Sequence, residues 1–296
     1  MISIAIPDGS MQEVITGFFT KAGLPIITEK ERTNEGKVVG TDWIERVAFQ
    51  RPQEIPPYVN GGCFDVAIVG EDWIANWGYE FPVLLKLPIG RGGNKPVKIV
   101  LAVAQDSEIQ SVKRLPSSCV VATEYVELVQ EFFSRRKRQD IRVVRSWGNT
   151  ETKVRFGVTA IVDVTESGDS LRDNKLKVIR EIMESSIVVI ANVKSFADES
   201  KRHYIDYFVR RIKGAYQASK YILLAANVPK RNLYEASKII GGLKAPSCQP
   251  LKGIDGWFAL QSFVLREDEQ KIIFDLLQIG VTDVVIITRD IPSIMT

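Results

Sequence analysis

Apolar and polar positions along the chain fall into two alternating periods. The opening run ISIAI (2–6) is continuous and β-branched, which predicts a buried strand. SMQEVITGFFTKAG (10–23) follows with apolar residues at helical spacing, with Ser10 as its cap and Gly23 as its stop. RPQEIPPYVNGG (51–62) predicts a helical turn, and FDVAIVG (64–70) a strand running into the acidic EDW. Further strands are expected at 98–104, 118–124, 141–146, 157–164 and 187–193, and helices at 125–137 and 177–186. Continuous apolar strands separated by helices predict parallel sheets covered on both faces.

The pattern changes after about residue 195. A long amphipathic helix is expected over 200–219, then strand 220–228, helix 230–240, a Gly- and Pro-rich loop 241–253, strand 257–265, helix 268–280 and strand 283–289. That order matches a ferredoxin-like α+β unit. No internal repeat or low-complexity linker is visible.

Composition narrows the function classes. A chain of 296 residues is comfortable for two or three domains. With 39 basic against 36 acidic residues, a net charge of +3 excludes a broad electrostatic nucleic-acid surface. The one basic cluster, FFSRRKRQD (132–140), reads as a solvated helix end. MISIAIPDGS lacks the pattern of a signal peptide, and no apolar run approaches the ~18–20 residues of a membrane helix. Cys63, Cys119 and Cys248 are few and scattered, as expected of a reduced cytoplasmic protein. His203 is the only histidine and is expected on a surface helix turn, so a zinc cluster or Ser-His-Asp triad finds no support.

Candidate chemistry concentrates at DVTESGDSLRDNKLK (163–177), where a strand ends in acids, hydroxyls and a glycine before a basic stretch. Backbone N–H groups in such a turn form an anion cradle, with Ser167 and Ser170 adding hydroxyls and Gly168 allowing close approach. Asp163 and Glu166 would repel bare phosphate but suit ribose hydroxyls or a magnesium ion. A plain acidic turn, with Asp169 or Ser170 capping a helix, reads the same residues without a ligand. Three other strand ends carry polar groups: AIPDGSMQE with Asp8, Gly9 and Ser10; DVAIVGEDW with Gly70 and Asp72; and SWGNTETKV with Glu151. Arg51 precedes a helical turn. Together they suggest a cleft between two α/β lobes, since ligands of open α/β sheets gather at strand carboxyl ends.

Four segments, PDGS, RPQEIPPYVNGGCFDVAIVGEDW, SWGNTETKV and DVTESGDSLRDNKLKVI, make the chain resemble the long form of the ATP phosphoribosyltransferase family, which opens histidine biosynthesis. The resemblance is collinear over essentially the whole chain. It implies two periplasmic-binding-protein-like lobes with a cleft, in an α/β body, plus a C-terminal ferredoxin-like α+β regulatory domain. The boundaries expected are 1–97 plus 188–215 for lobe I, 98–187 for lobe II with the phosphoribosyl pyrophosphate loop, and 219–296 for the regulatory domain. The implied reaction transfers the 5-phosphoribosyl group from phosphoribosyl pyrophosphate to N1 of ATP with magnesium, releasing pyrophosphate. By the same resemblance Ser167, Gly168, Asp169, Ser170 and Leu171, flanked by Asp163 and Glu166, hold phosphoribosyl pyrophosphate. Glu151 and Asp163 face the ribose or its metal, and Arg51 joins them as a catalytic residue. Asp8, Gly9, Ser10, Arg51, Gly70 and Asp72 line the nucleotide and pyrophosphate cleft. Asn227, Leu243, Ala245 and Ser247 fall where the family binds histidine as an inhibitor, and a dimer-to-hexamer assembly is implied.

Three positions depart from the family pattern. The usual Lys of PKG is Asp8, the usual Thr of the phosphate loop is Ser170, and the usual Ala of GATE is Asn149. Reversing a charge beside a polyanion costs affinity, with Lys21, Arg91 or Lys95 as candidate compensations. Two other readings therefore stand beside the enzyme: a catalytically degenerate regulatory paralogue, and a two-lobed small-molecule-binding module.

Overall fold

The computed structural model describes residues 1–28, 34–90, 92–93 and 95–288. The chain divides into two compact units, one from Met1–Gly17 and Ile26–Val209, the other from Phe18–Pro25 and from Arg210 onward.

In the first unit the chain runs through β1 (Ile2–Pro7), the start of α1 (Gln12–Lys21), β2 (Ile26–Ile27), β3 (Glu35–Val38), β4 (Ile44–Gln50), α2 (Ile55–Asn60), β5 (Val66–Gly70), α3 (Glu71–Trp77) and β6 (Val83–Leu87). It then builds a second lobe from β7 (Val97–Ala104), β8 (Val120–Thr123), α4 (Val126–Ser134), β9 (Arg142–Arg145), β10 (Ala160–Thr165), α5 (Asp169–Asp173) and β11 (Leu176–Ser185). β12 (Ile187–Ala191), α6 (Val193–Ala197) and α7 (Glu199–Ser219) return it to the first lobe. Among the described residues the sheets are ordered β2-β3-β4-β1-β5-β12-β6 and β11-β7-β10-β8-β9.

These orders hide a repeat. In lobe I, β4-β1-β5 are parallel, and β12, arriving from lobe II, pairs antiparallel with both β5 and β6. In lobe II, β9-β8-β10 are parallel, and β7, arriving from lobe I, pairs antiparallel with both β10 and β11. Each lobe is thus the same topology, completed by a strand from the other. This is the two-lobed solute-binding plan expected from the sequence, although the sheets are mixed rather than parallel. The repeat lies in strand order and leaves no trace in residue identity. One core of buried side chains, from Ala67 and Val69 to Leu101 and Val121, runs through both lobes.

The end of the unit away from β-strand carboxyl termini is locked by a buried acid. Asp65 accepts from the backbone N–H of Ser3 at 2.8 Å, from Ser195 Oγ at 2.6 Å and from Lys201 Nζ at 2.7 Å. Burial alone would raise its pKa, but the bonds from Lys201 and Ser195 prevail and hold it below the ordinary value. Asn192 caps α6 by accepting from the N–H groups of Lys194 and Ser195.

Several expectations change. Residues 177–186, expected as a helix, form strand β11. The pairing of β11 with β7 shifts register between Val178 and Arg180 and again between Glu181 and Met183. Two bulges reset the in–out alternation, so Ile179, Ile182 and Met183 fall at helical spacing along a strand. Ser10 lies inside a 3-10 turn (Gly9–Met11) and caps no helix, whereas Gly23, at φ +70°, does end α1. Strands β2, β3, β4, β6 and β14 were not expected; β3 and β6 are short and partly exposed, too weakly patterned to stand out. Residue 193 starts α6 rather than ending a strand. The basic cluster is a helix end, as expected. Arg138 leaves the helix, donating to the carbonyls of Val112 and Leu115 and pairing with Asp140, whereas Arg135 and Arg136 turn back along it to Glu131 and Phe132.

The second unit carries β13 (Tyr221–Pro229), α8 (Leu233–Ile240), β14 (Ser247–Pro250), β15 (Trp257–Leu265), α9 (Glu269–Gln278) and β16 (Thr282–Thr288). The sheet order β14-β15-β13-β16, antiparallel throughout, is ferredoxin-like as expected. Alternate residues of β13, Ile222, Leu224, Ala226 and Val228, are buried with Ala236, Ile240, Ile272 and Leu276 of the two helices. β14 emerges from the stretch expected as loop, its four residues exposed on a sheet edge. The last expected strand residue, Arg289, lies outside the described residues.

Candidate active site

Strand register places the first pair of cleft residues. β1 and β4 run parallel with Pro7 opposite Gln50, and the N–H of Asp8 donates to the Gln50 carbonyl at 2.9 Å. The next residues on each strand, Asp8 and Arg51, therefore emerge side by side. Arg51 Nε lies 3.4 Å from Asp8 Oδ2, while Asp8 Oδ1 is buried with no hydrogen-bond partner among the described residues. Arg51 is 67% exposed, so the pair is screened and holds loosely. Of the compensating cations considered, Arg91 lies outside the described residues.

A cavity of about 410 Å³ opens here, lined by Asp8, Gly9, Ser10, Arg51, Gly70 and Asp72 and also by Glu124, Trp147 and Ser185. All six residues expected in the nucleotide cleft thus meet at one cavity.

Within it Asp72 has a different character from the rest. It lies in the first turn of α3, is 5% exposed, and has both oxygens engaged. Ser185 Oγ donates to Oδ1 at 2.7 Å and accepts from the Asp72 N–H at 3.0 Å. Tyr125 Oη donates to Oδ2 at 2.7 Å. Gly70 makes the room, since a Cβ there would sit 2.1 Å from Oδ1. Asn76, one turn along α3, continues the seam by donating to Glu127 at 2.9 Å and accepting from the Leu128 N–H. Sequence reading missed Tyr125 and Ser185, because neither stands in a recognisable motif.

The phosphate-loop group forms a second cluster, outside the lining of that cavity. Gly168, at φ +84°, turns the chain into α5, and its N–H donates to Thr165 Oγ1 at 2.9 Å. Ser170 Oγ donates to Glu151 Oε1 at 2.7 Å, joining two segments singled out separately in the sequence. Asp169 accepts from Ser167 Oγ and pairs with Arg172; the Ser167 bond, then the Arg172 charge, lower its pKa. Glu166 accepts from the Gly92 N–H at 3.2 Å. Asp163 Oδ1 accepts from the next N–H, Val164. Leu171 is 3% exposed and packs into the lobe II core, so its side chain is unavailable and only its backbone could meet a ligand. The N–H groups of Ser170 and Leu171 lie in the first turn of α5, where no carbonyl of the helix can accept from them.

Among the described residues no three His, Cys, Asp or Glu side chains gather as a metal cage. Magnesium is commonly held by one or two carboxylates, waters and substrate phosphates. The dispersed acids Glu151 and Asp163 suit that mode.

In the second unit Asn227 donates to Asp283 at 3.3 Å. Register links Asn227 through Ala259 to Gln249, and Ser247 lies two residues from Gln249, so Asn227 and Ser247 share the sheet face away from the helices. Leu243 and Ala245 are exposed. A cavity of about 500 Å³ in this unit is lined by Gly241 and Gly242 but by none of these four residues.

Among the described residues no helix is long and apolar enough to cross a membrane. Residues 51–214 match the family model for HisG, ATP phosphoribosyltransferase, and residues 218–288 match that for the HisG C-terminal domain. An ATP phosphoribosyltransferase of Koribacter versatilis is 34% identical over 264 residues, covering 89% of each chain. That of Geotalea daltonii is 32% identical over 287 residues, covering 96% of each. The solved ATP phosphoribosyl transferase (HisG:HisZ) complex from Thermotoga maritima superposes with a TM-score of 0.62 at 22% identity, over 72% of this chain and 97% of that one. The chain belongs to the ATP phosphoribosyltransferase family.

Proposed function

We propose that the protein transfers the 5-phosphoribosyl group of phosphoribosyl pyrophosphate to N1 of ATP, releasing pyrophosphate, as the first step of histidine biosynthesis. The observation that carries the reading is the Ser170–Glu151 hydrogen bond. It ties the phosphate loop to the segment whose acid the reaction needs at the ribose.

Displacement at the anomeric carbon passes through an oxocarbenium-like state, so catalysis consists of positioning and charge stabilisation. Main-chain N–H groups of Ser170 and Leu171 hold the 5-phosphate, and the hydroxyls of Ser167 and Ser170 add to them by turning their protons from Asp169 and Glu151 to the phosphate. Gly168 sets the turn, Asp169 orders it by holding Arg172, and Glu166 braces it against Gly92. Glu151 and Asp163 face the ribose hydroxyls and would hold magnesium together with substrate oxygens. When bound, magnesium neutralises the leaving pyrophosphate. Arg51 adds the cation of the cleft once an anion draws it from Asp8. No protein nucleophile is required. The tail is a regulatory domain for histidine, which Asn227, Leu243, Ala245 and Ser247 would contact, in a homo-oligomer of dimers assembling to a hexamer in the cytoplasm.

Asp8 favours a second reading, the degenerate regulatory paralogue, because it sets a carboxylate beside Arg51, the arginine that lines the cavity among the described residues. Incubation with ATP, phosphoribosyl pyrophosphate and magnesium separates the two. Formation of phosphoribosyl-ATP supports the enzyme; ligand binding without product supports the paralogue or a binding module.

A further inference from the structure

Trp147 is 88% exposed, a costly position for an indole, and it lines the cleft cavity. The turn that presents it is built rather than slack. Ser146 beside it is buried, its hydroxyl donating to the Gly148 carbonyl at 3.3 Å and accepting from buried Thr150 Oγ1 at 3.0 Å. Asn149 at φ +48° occupies left-handed backbone, uncommon for a residue with a side chain, and Gly148 at φ +109° gives the turn beside it a conformation that only glycine adopts freely. The Arg145 guanidinium lies 5.7 Å from the ring centroid. Trp73, the other aromatic of the lining, is buried against Tyr125 at 4.4 Å and has no face to offer.

We propose that Trp147 is the stacking platform for the nucleobase of the nucleotide bound in this cleft. The inference rests on the functional reading above, which places ATP there, and adds the residue that recognises its base. A preset, solvated indole face gains contact with a planar base without ordering further backbone, and base–aromatic stacking is insensitive to hydrogen-bonding pattern. The phosphates, by contrast, meet the polar part of the lining.

The test measures binding of ATP and of inorganic tripolyphosphate, each with magnesium and without the sugar substrate, to full-length wild type, Trp147→Ala and Trp147→Phe. At 88% exposure the side chain supports no core, so the variants keep the fold. Trp147→Ala is expected to weaken ATP about tenfold or more, with Trp147→Phe recovering most of the loss and tripolyphosphate binding unchanged. Unchanged ATP affinity, or equal weakening of ATP and tripolyphosphate, overturns the platform. So does a change confined to oligomeric state, which would make the indole an interface residue. Tryptophan-dependent ATP binding without product formation would instead leave the platform standing and overturn the reaction.

Discussion

The hydroxyl of Tyr125, from the start of the helical segment after β8, donates to Asp72 at the start of α3, 2.7 Å away. One residue belongs to each lobe, and Ser185, at the end of β11, holds the other oxygen of the same carboxylate. Asp72 thus joins the two lobes at the cleft, holding Tyr125 and the end of β11 from lobe II, and its work is to set their spacing. Tyr125→Phe should destabilise the protein by about 1–3 kcal/mol, since a buried acceptor loses its donor. Asp72→Ala should cost more, because it also strands Ser185. Denaturant unfolding monitored by tryptophan fluorescence checks both, and an unchanged midpoint for Tyr125→Phe would contradict the role.

Asp65 gives a pH prediction. Its folded pKa lies below the unfolded one of ~3.9. Its contribution is therefore fully present above that unfolded value and is lost as pH falls through the lower folded value. The stability gap between wild type and Asp65→Asn should be constant near neutrality and close progressively below about pH 4. Thermal melts across pH 3–7 measure it; a gap that widens in acid would reverse the sign.

Gly168 tests the phosphate loop. At φ +84° a β-branched residue is strained by about 1–3 kcal/mol. Gly168→Val should raise the KM for phosphoribosyl pyrophosphate by about tenfold or more while leaving ATP affinity intact. Ser170→Ala should act on the same KM by a smaller factor, since Glu151 loses its donor in an exposed site. Equal effects on both substrates would place the loop elsewhere in the reaction.

Position 8 distinguishes a working variant from a degenerate one. Asp8→Asn removes the counter-charge from Arg51 and should tighten pyrophosphate inhibition by about three- to tenfold, a modest factor because the guanidinium is exposed. Asp8→Lys should lower an already substantial kcat/KM. A large gain from a near-zero baseline would favour the degenerate paralogue.

Much of this was legible from residue order. β-branched runs marked β1, β5, β7, β8, β10 and β12, and the tail's alternation from β13 onward revealed the ferredoxin-like unit. β11 was misread because bulges gave it a helical spacing, and β4 escaped because its polar residues, Glu45 and Arg46, interrupt the apolar run. The cleft members were visible where they cluster in motifs. The Asp8–Arg51 pairing was not, because it depends on which strand lies beside β1. Tyr125 and Ser185 were hidden for the same reason: they meet Asp72 from 53 and 113 residues away. Trp147 belongs to the segment SWGNTETKV, but only its exposure at the cavity marks it out.

The central claim is chemical, and one assay reaches it. The full-length protein, given ATP, phosphoribosyl pyrophosphate and magnesium, should generate the ultraviolet absorbance of phosphoribosyl-ATP together with one pyrophosphate per product, and Gly168→Val should need far more sugar substrate to do so. Saturable binding of both substrates with neither product formed would contradict it.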